Sequence, residues 1–171
     1  MRRVLPYVLL VVLAAGYGFA RTRDDDGGGR PTAAGGGVAR VVRAVDGDTI
    51  VVSRDGGRTE ERVRYIGVDT PETVKPDTPV QCFGPQASAF NHHLVEGRRV
   101  RLVFGVERRD VYGRLLAYVY RASDGAFVNA ALVRDGYART LTIAPNDRYA
   151  PRFAALQAAA RRAGRGLWGR C

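Results

Sequence analysis

Three short clusters in this 171-residue chain combine residue types that can act on a charged oxygen species. The first is Asp46-Gly47-Asp48-Thr49, where two carboxylates flank a glycine and the chain re-enters a β-branched run. Asp46 and Gly47 suit a hairpin corner, and turn geometry alone accounts for them. Asp48 asks for more. A carboxylate entering a strand faces either a barrel interior or a groove, and burying it alone is costly unless a cation or hydrogen bonds compensate. The second cluster runs from Arg64 through Asp69, Thr70, Pro71 and Glu72. Singly, Arg64 reads as a solubilising strand arginine, and the two acids as a turn or helix cap. Together, two carboxylates and a backbone carbonyl at one strand end make an oxygen nest for a hard cation such as Ca²⁺. The third cluster is Asp110-Val111-Tyr112-Gly113-Arg114, by itself a basic hairpin loop. In it Arg114 can grip a phosphate, and Tyr112 can stack on a base or donate its hydroxyl.

These clusters need a frame that brings strand ends together. Val38–Val45 and Thr49–Ser53 are β-branched runs joined by a turn, and Glu61–Val68 reads as a third strand. A proline-rich loop, Thr70–Pro79, interrupts the strands. Pro85–Glu96 reads as a helix, with Pro85 in its first turn and Ala87, Phe90 and Leu94 on one face. Arg99–Phe104 and Leu115–Tyr120 are further strands, Asn129–Asp135 a short helix, and Tyr137–Ile143 an extended segment. Arg148–Ala163 closes the pattern as an amphipathic helix. Five short strands with interposed helices, too few residues for two sheets, point to a β-rich α+β fold built on a five-stranded OB-type barrel.

Around that frame the chain divides into three. Residues 1–20 open with Arg2 and Arg3 and continue as an uncharged apolar run, 4–20. This reads as a signal peptide or as an N-terminal membrane anchor. Small residues at Gly18 and Ala20 suit cleavage, whereas Arg21 and Arg23 directly after them do not. Either way the domain is exported, secreted or tethered to the outer face of the cytoplasmic membrane, because the basic flank stays inside. Residues 21–37, rich in Gly and Asp, read as a flexible linker. Residues 38–171 form the expected folded domain.

The whole chain has 27 Lys and Arg against 17 Asp and Glu, a net charge of +10. The segment 38–171 holds 22 basic and 14 acidic residues, so +8 belongs to the domain. Such an excess favours polyanions without choosing among them. Two cysteines exclude a disulfide-dense miniprotein, and no Cys/His grid suggests structural zinc. In an exported domain Cys82 and Cys171 can form a disulfide, worth about 4–5 kcal/mol at most for so long a loop. Two free thiols or an intermolecular bond are the alternatives. His92 and His93 point about 100° apart on a helix and cannot share a metal. Trp168 reads as a packing anchor for the C-terminal tail.

The order of these segments closely resembles the thermonuclease family, the staphylococcal-nuclease-like domains. The similar stretches are Asp46–Thr49, Val68–Glu72, Phe83–Phe90, Asp110–Tyr120, Val128–Gly136 and Gly166–Trp168. The resemblance implies an OB-fold barrel with three helices that hydrolyses phosphodiester bonds of DNA and RNA and leaves 3′-phosphate ends. It implies one Ca²⁺ held by Asp48, Asp69 and the carbonyl of Thr70, with Glu72 as general base and Arg64 and Arg114 on the phosphate. The family's lysine before the tyrosine is Val111 here, for which Arg108 or Arg109 is a candidate substitute. Thr142 and Ala144 stand where the best-known member has tyrosines near the nucleotide. Tyr112 and Arg109 are therefore the candidate substrate-binding residues. The alternative is a catalytically inactive barrel that only binds nucleic acid, or an envelope-tethered binder of anionic polymers. Degeneration would remove an acid or an arginine, and none is missing. No feature points to a protein partner.

Overall fold

The structure, a computed structural model, describes residues 36–54, 57–74 and 77–171. The expected targeting segment, 1–20, and nearly all of the expected linker, 21–37, lie outside the described residues. Among the described residues no helix is long and apolar enough to cross a membrane.

Five strands close into a barrel: β1 (Val38–Ala44), β2 (Thr49–Arg54), β3 (Thr59–Tyr65), β5 (Arg99–Arg109) and β6 (Leu115–Arg121). Their order is β1-β2-β3-β6-β5, and β5 pairs back onto β1. Every pairing is antiparallel except β3 with β6, which is parallel. This is the OB-type barrel expected from the sequence. Alternate residues of β1 turn inward, so Ala39 and Val41 are buried beside Ile50, Val52, Val63 and Leu102. Closing the barrel removes sheet edges and puts the Asp48 end of β2 beside the Arg64 end of β3, through the pair Thr49↔Arg64.

The expected strand Glu61–Val68 is two strands. Gly67 has φ +80°, and a Cβ there would lie 2.5 Å from the Phe153 ring, so only glycine fits the break. Past it the chain leaves the barrel as β4 (Gly67–Asp69), which pairs with β7 (Arg139–Leu141) in a separate two-stranded sheet. Asn129 secures the corner. Its Nδ2 donates to the Ile66 carbonyl at 2.9 Å, and its Oδ1 accepts from the Val119 amide at 2.9 Å.

Three helices cover the barrel: α1 (Gly84–Val95), α2 (Val128–Arg134) and α3 (Ala150–Arg162). Residues 128–133 of α2 are all buried, between α3, α1, β6 and β4. A one-turn helix, α4 (Leu167–Arg170), ends the chain. There Leu167 is the buried anchor, while Trp168 lies under the guanidinium groups of Arg139 and Arg161. Cys82 and Cys171 are joined in a disulfide with Cα atoms 6.0 Å apart.

Candidate active site

A cleft of about 510 Å³ opens where β2 begins and β3 ends. Asp46, Asp48, Arg64, Asp69, Thr70, Glu72, Tyr112 and Arg114 all line it. The three sequence clusters, separated by up to 68 positions, thus meet in one depression.

Asp48 is its most enclosed acid, with 5% of its surface exposed. Oδ2 accepts from the Thr70 amide at 2.8 Å and from the Thr70 hydroxyl at 2.9 Å. Oδ1 lies 3.1 Å from Arg64 Nε and 3.3 Å from the Thr49 hydroxyl. Arg64 in turn engages four of its five N–H groups within the protein. Its Nη1 donates to the carbonyls of Val68 at 2.7 Å and Tyr65 at 3.0 Å, and its Nη2 to Asp69 Oδ1 at 3.0 Å. One planar guanidinium therefore spans both aspartates and the backbone turn that positions the second. A lysine ammonium lacks the donors and the plane to do so.

Glu72 sits beyond Asp69. Its Oε1 accepts from the amides of Thr73 at 2.8 Å and Val74 at 2.9 Å, which orients the carboxylate along its own loop. Arg114 stands just before β6, the strand that pairs with β3 through Arg64↔Leu116. Asp110 holds it through Nε at 2.6 Å and through its amide at 2.9 Å, and also accepts from the Tyr112 amide at 3.0 Å. The Arg114 guanidinium lies 5.3 Å from the centre of the Tyr112 ring, and that ring is 80% exposed at the cleft edge.

The carboxylates feel one another. Burial, reinforced by the Asp48 charge, pushes Asp46 up to about 6. Burial raises Asp69 too; Arg64 opposes this, while Asp48 and Glu72 add to it. A pocket whose acids are desolvated and mutually repelled gains from a cation. Every donor is oxygen, which suits a hard divalent ion rather than zinc or copper. Among the described residues no three acidic, imidazole or thiol side chains converge as a ligand cluster. An ion held by Asp48 and Asp69 would thus need the Thr70 carbonyl and water to complete its shell.

A scan against family models matches the staphylococcal nuclease homologue family over residues 62–170. The chain belongs to that family. The matched segment carries Arg64, Asp69, Thr70, Glu72 and Arg114, and Asp48 is bonded to it through Arg64 and Thr70. A thermonuclease of Staphylococcus intermedius is 50% identical over 109 residues, 64% of this chain and 62% of that protein. One of Staphylococcus hyicus is 41% identical over 129 residues, 75% of this chain and 74% of that protein. Endonuclease YncB of Bacillus subtilis is 47% identical over 113 residues, 65% of this chain and 52% of that protein. The chain thus spans between about half and three quarters of these relatives.

Within this family frame, two residues do not join the cleft. Arg109 pairs with Glu61 and donates to the Gly113 carbonyl at 2.7 Å, so it buttresses the hairpin from outside. Arg108 turns toward the Phe104 ring, 5.5 Å away. Neither stands in for the lysine that Val111 replaces, and Val111 itself is 93% exposed. Two residues that the sequence marks only as turn or loop positions take part in the site. Asp46 lines the cleft, and Asp110 fixes Arg114. The spacing of four between Asp110 and Arg114 was the available signal for the second.

Proposed function

We propose that the chain is an exported, calcium-dependent nuclease that hydrolyses phosphodiester bonds of DNA and RNA and leaves 3′-phosphate ends. The observation that carries this reading is Arg64, fixed between Asp48 and Asp69 in the same cleft as Glu72 and Arg114. Hydrolysing a phosphodiester takes a positioned water, relief of charge on the phosphorus oxygens, and a leaving oxygen in line. Asp48, Asp69 and the Thr70 carbonyl would hold the calcium ion, which when bound offsets phosphate charge near the attacking water. Glu72 orients that water and takes its proton on the carboxylate. Arg64 and Arg114, lining the same cleft, donate to phosphate oxygens as charge builds on them. The 5′ P–O bond breaks, so the phosphate stays on the 3′ side. The domain's charge of +8 gathers either nucleic acid, and Tyr112 at the rim offers a face for a base.

Export is part of the proposal and rests on the apolar run 4–20 behind Arg2 and Arg3, which would also serve for membrane attachment if uncleaved. Plasmid, single-stranded DNA and RNA incubated in calcium should be cut, and excess chelator should stop the cutting. Products should resist polymerase extension until treated with a phosphatase. Salt-sensitive binding without cleavage would instead identify a barrel that only binds. Fractionation with N-terminal sequencing should find the domain outside the cytoplasm; a cytoplasmic chain would refute export.

A further inference from the structure

The carboxylate assigned as base sits on a loop, and a base must be held within a few tenths of an ångström to act well. Two bonds to the backbone of Glu72 are made with Gln81. The Glu72 amide donates to Gln81 Oε1 at 2.9 Å, and the Gln81 amide donates to the Glu72 carbonyl at 2.9 Å. This is a two-point clamp on the backbone of Glu72. Gln81 is itself exposed and packs little, so something else must fix it.

The neighbouring residue does that. Cys82 is bonded to Cys171, and the Cys171 amide donates to the Leu167 carbonyl at 3.1 Å. Leu167 is buried, and its amide donates to the Gly136 carbonyl at 2.9 Å, which seats α4 on the end of α2. From the other side the Gly84 amide donates to the Gln81 carbonyl at 3.0 Å. A Cβ on Gly84 would lie 2.9 Å from the Glu72 carbonyl, so the start of α1 also presses on this backbone. Asp69, Thr70 and Pro71 line one small depression together with Gln81, Cys82 and Cys171.

We propose that Gln81, anchored by the Cys82–Cys171 disulfide, is a positioning residue for Glu72. The C-terminus thereby acts as a strut for the active-site loop, in addition to whatever it contributes to stability. The inference rests on the role proposed for Glu72. Its mechanical part does not, because the clamp exists with or without catalysis.

The test uses the full chain with three changes: Gln81→Met, which keeps size and loses the acceptor; Gln81→Glu, which keeps an acceptor; and Cys82→Ser with Cys171→Ser. Gln81→Met and the double serine variant should each lower kcat about tenfold, with KM and half-saturating calcium within about twofold. Gln81→Glu should restore kcat to within about threefold of wild type. Combining Gln81→Met with the serine pair should cost less than about threefold further, since both act through one clamp. In calcium-free protein, hydrogen exchange at the Glu72 amide should quicken about tenfold in both damaged variants, with barrel amides such as Val52 unchanged. Unchanged Glu72 exchange, kcat within twofold of wild type, or losses confined to KM would each overturn the proposal. If Gln81→Met alone folds, it decides the matter without the serine pair. Should the wild-type chain fail to cleave at all, the nuclease reading falls while the exchange data still judge the clamp.

Discussion

Arg64 Nε lies 3.1 Å from Asp48 Oδ1, and the two side chains are only 13% and 7% exposed. Each charge is buried on account of the other, and the rest of the cleft is arranged about the pair. Thr70 takes the second oxygen of Asp48, and the far nitrogen of Arg64 takes Asp69. Changing either partner alone takes from the other its most buried opposite charge.

Arg64→Ala should therefore cut turnover on the order of 10²-fold or more. It should also destabilise the calcium-free domain by about 3–5 kcal/mol, because Asp48 keeps its hydrogen bonds from Thr70 but is left buried without the cation beside it. Calcium should recover part of that stability by supplying replacement charge. Arg64→Lys should behave more like alanine than like wild type in turnover. Urea unfolding with and without calcium, beside steady-state rates, checks all three statements; wild-type turnover in either variant would refute the role.

Arg109 and Arg114 make a matched contrast. Both belong to one hairpin, yet only Arg114 lines the cleft. Arg114→Ala should lower turnover on the order of 10²-fold. Arg109→Ala should leave it within about twofold, since an exposed ion pair and one bond to the Gly113 carbonyl are lost outside the cleft. Equal losses at the two positions would mean that Arg109 reaches substrate after all.

Glu61 gives a pH signature of the same hairpin. Its bond to Arg109, helped by Arg54, holds the carboxyl below its ordinary 4.5. The ionised form is favoured in the folded state, so this contribution to stability is present above pH 4.5 and is lost as pH falls through the lowered value. A carbon-detected NMR titration should place the Glu61 midpoint below 4.5 in wild type and nearer to it in Arg109→Ala. A wild-type midpoint at or above 4.5 would contradict the pairing.

Asn129 should matter for stability out of proportion to its size. Asn129→Ala strands the Val119 amide and the Ile66 carbonyl inside the protein and should cost about 1–3 kcal/mol. Urea unfolding measures it. A cost below about half a kilocalorie would mean that water or a local shift satisfies both groups.

The sequence exposed the parts of this protein that local chemistry dictates. Alternating β-branched runs, Asp-Gly turns and the Pro85 helix start marked the barrel strands and α1 within a few residues, apart from β5. Residue types at strand ends marked the cleft. What stayed hidden depends on contacts across the fold. The break at Gly67 follows from the Phe153 ring, 86 positions away, and sends β4 out of the barrel to meet β7. β5 continues to Arg109, past the expected end at Phe104, because its pairing with β6 shifts register and resumes at Arg109↔Leu115. The family lysine replaced by Val111 makes Arg109 a substitute candidate, whereas β3 supplies Glu61 to occupy it. Asp46 reads as a turn residue, and its Oδ1 does accept from the Asp48 amide; that the strand ends around it close a cleft is a matter of the barrel, not of local sequence.

The most direct test of the account is the turnover of Glu72→Gln in calcium, measured beside its calcium affinity by titration calorimetry. The exchange keeps the acceptor oxygen that Thr73 and Val74 bond and removes only the proton-accepting charge. Turnover is predicted to fall on the order of 10²-fold or more, with calcium affinity changed by less than about tenfold. Turnover near that of wild type, with calcium still bound, would contradict it.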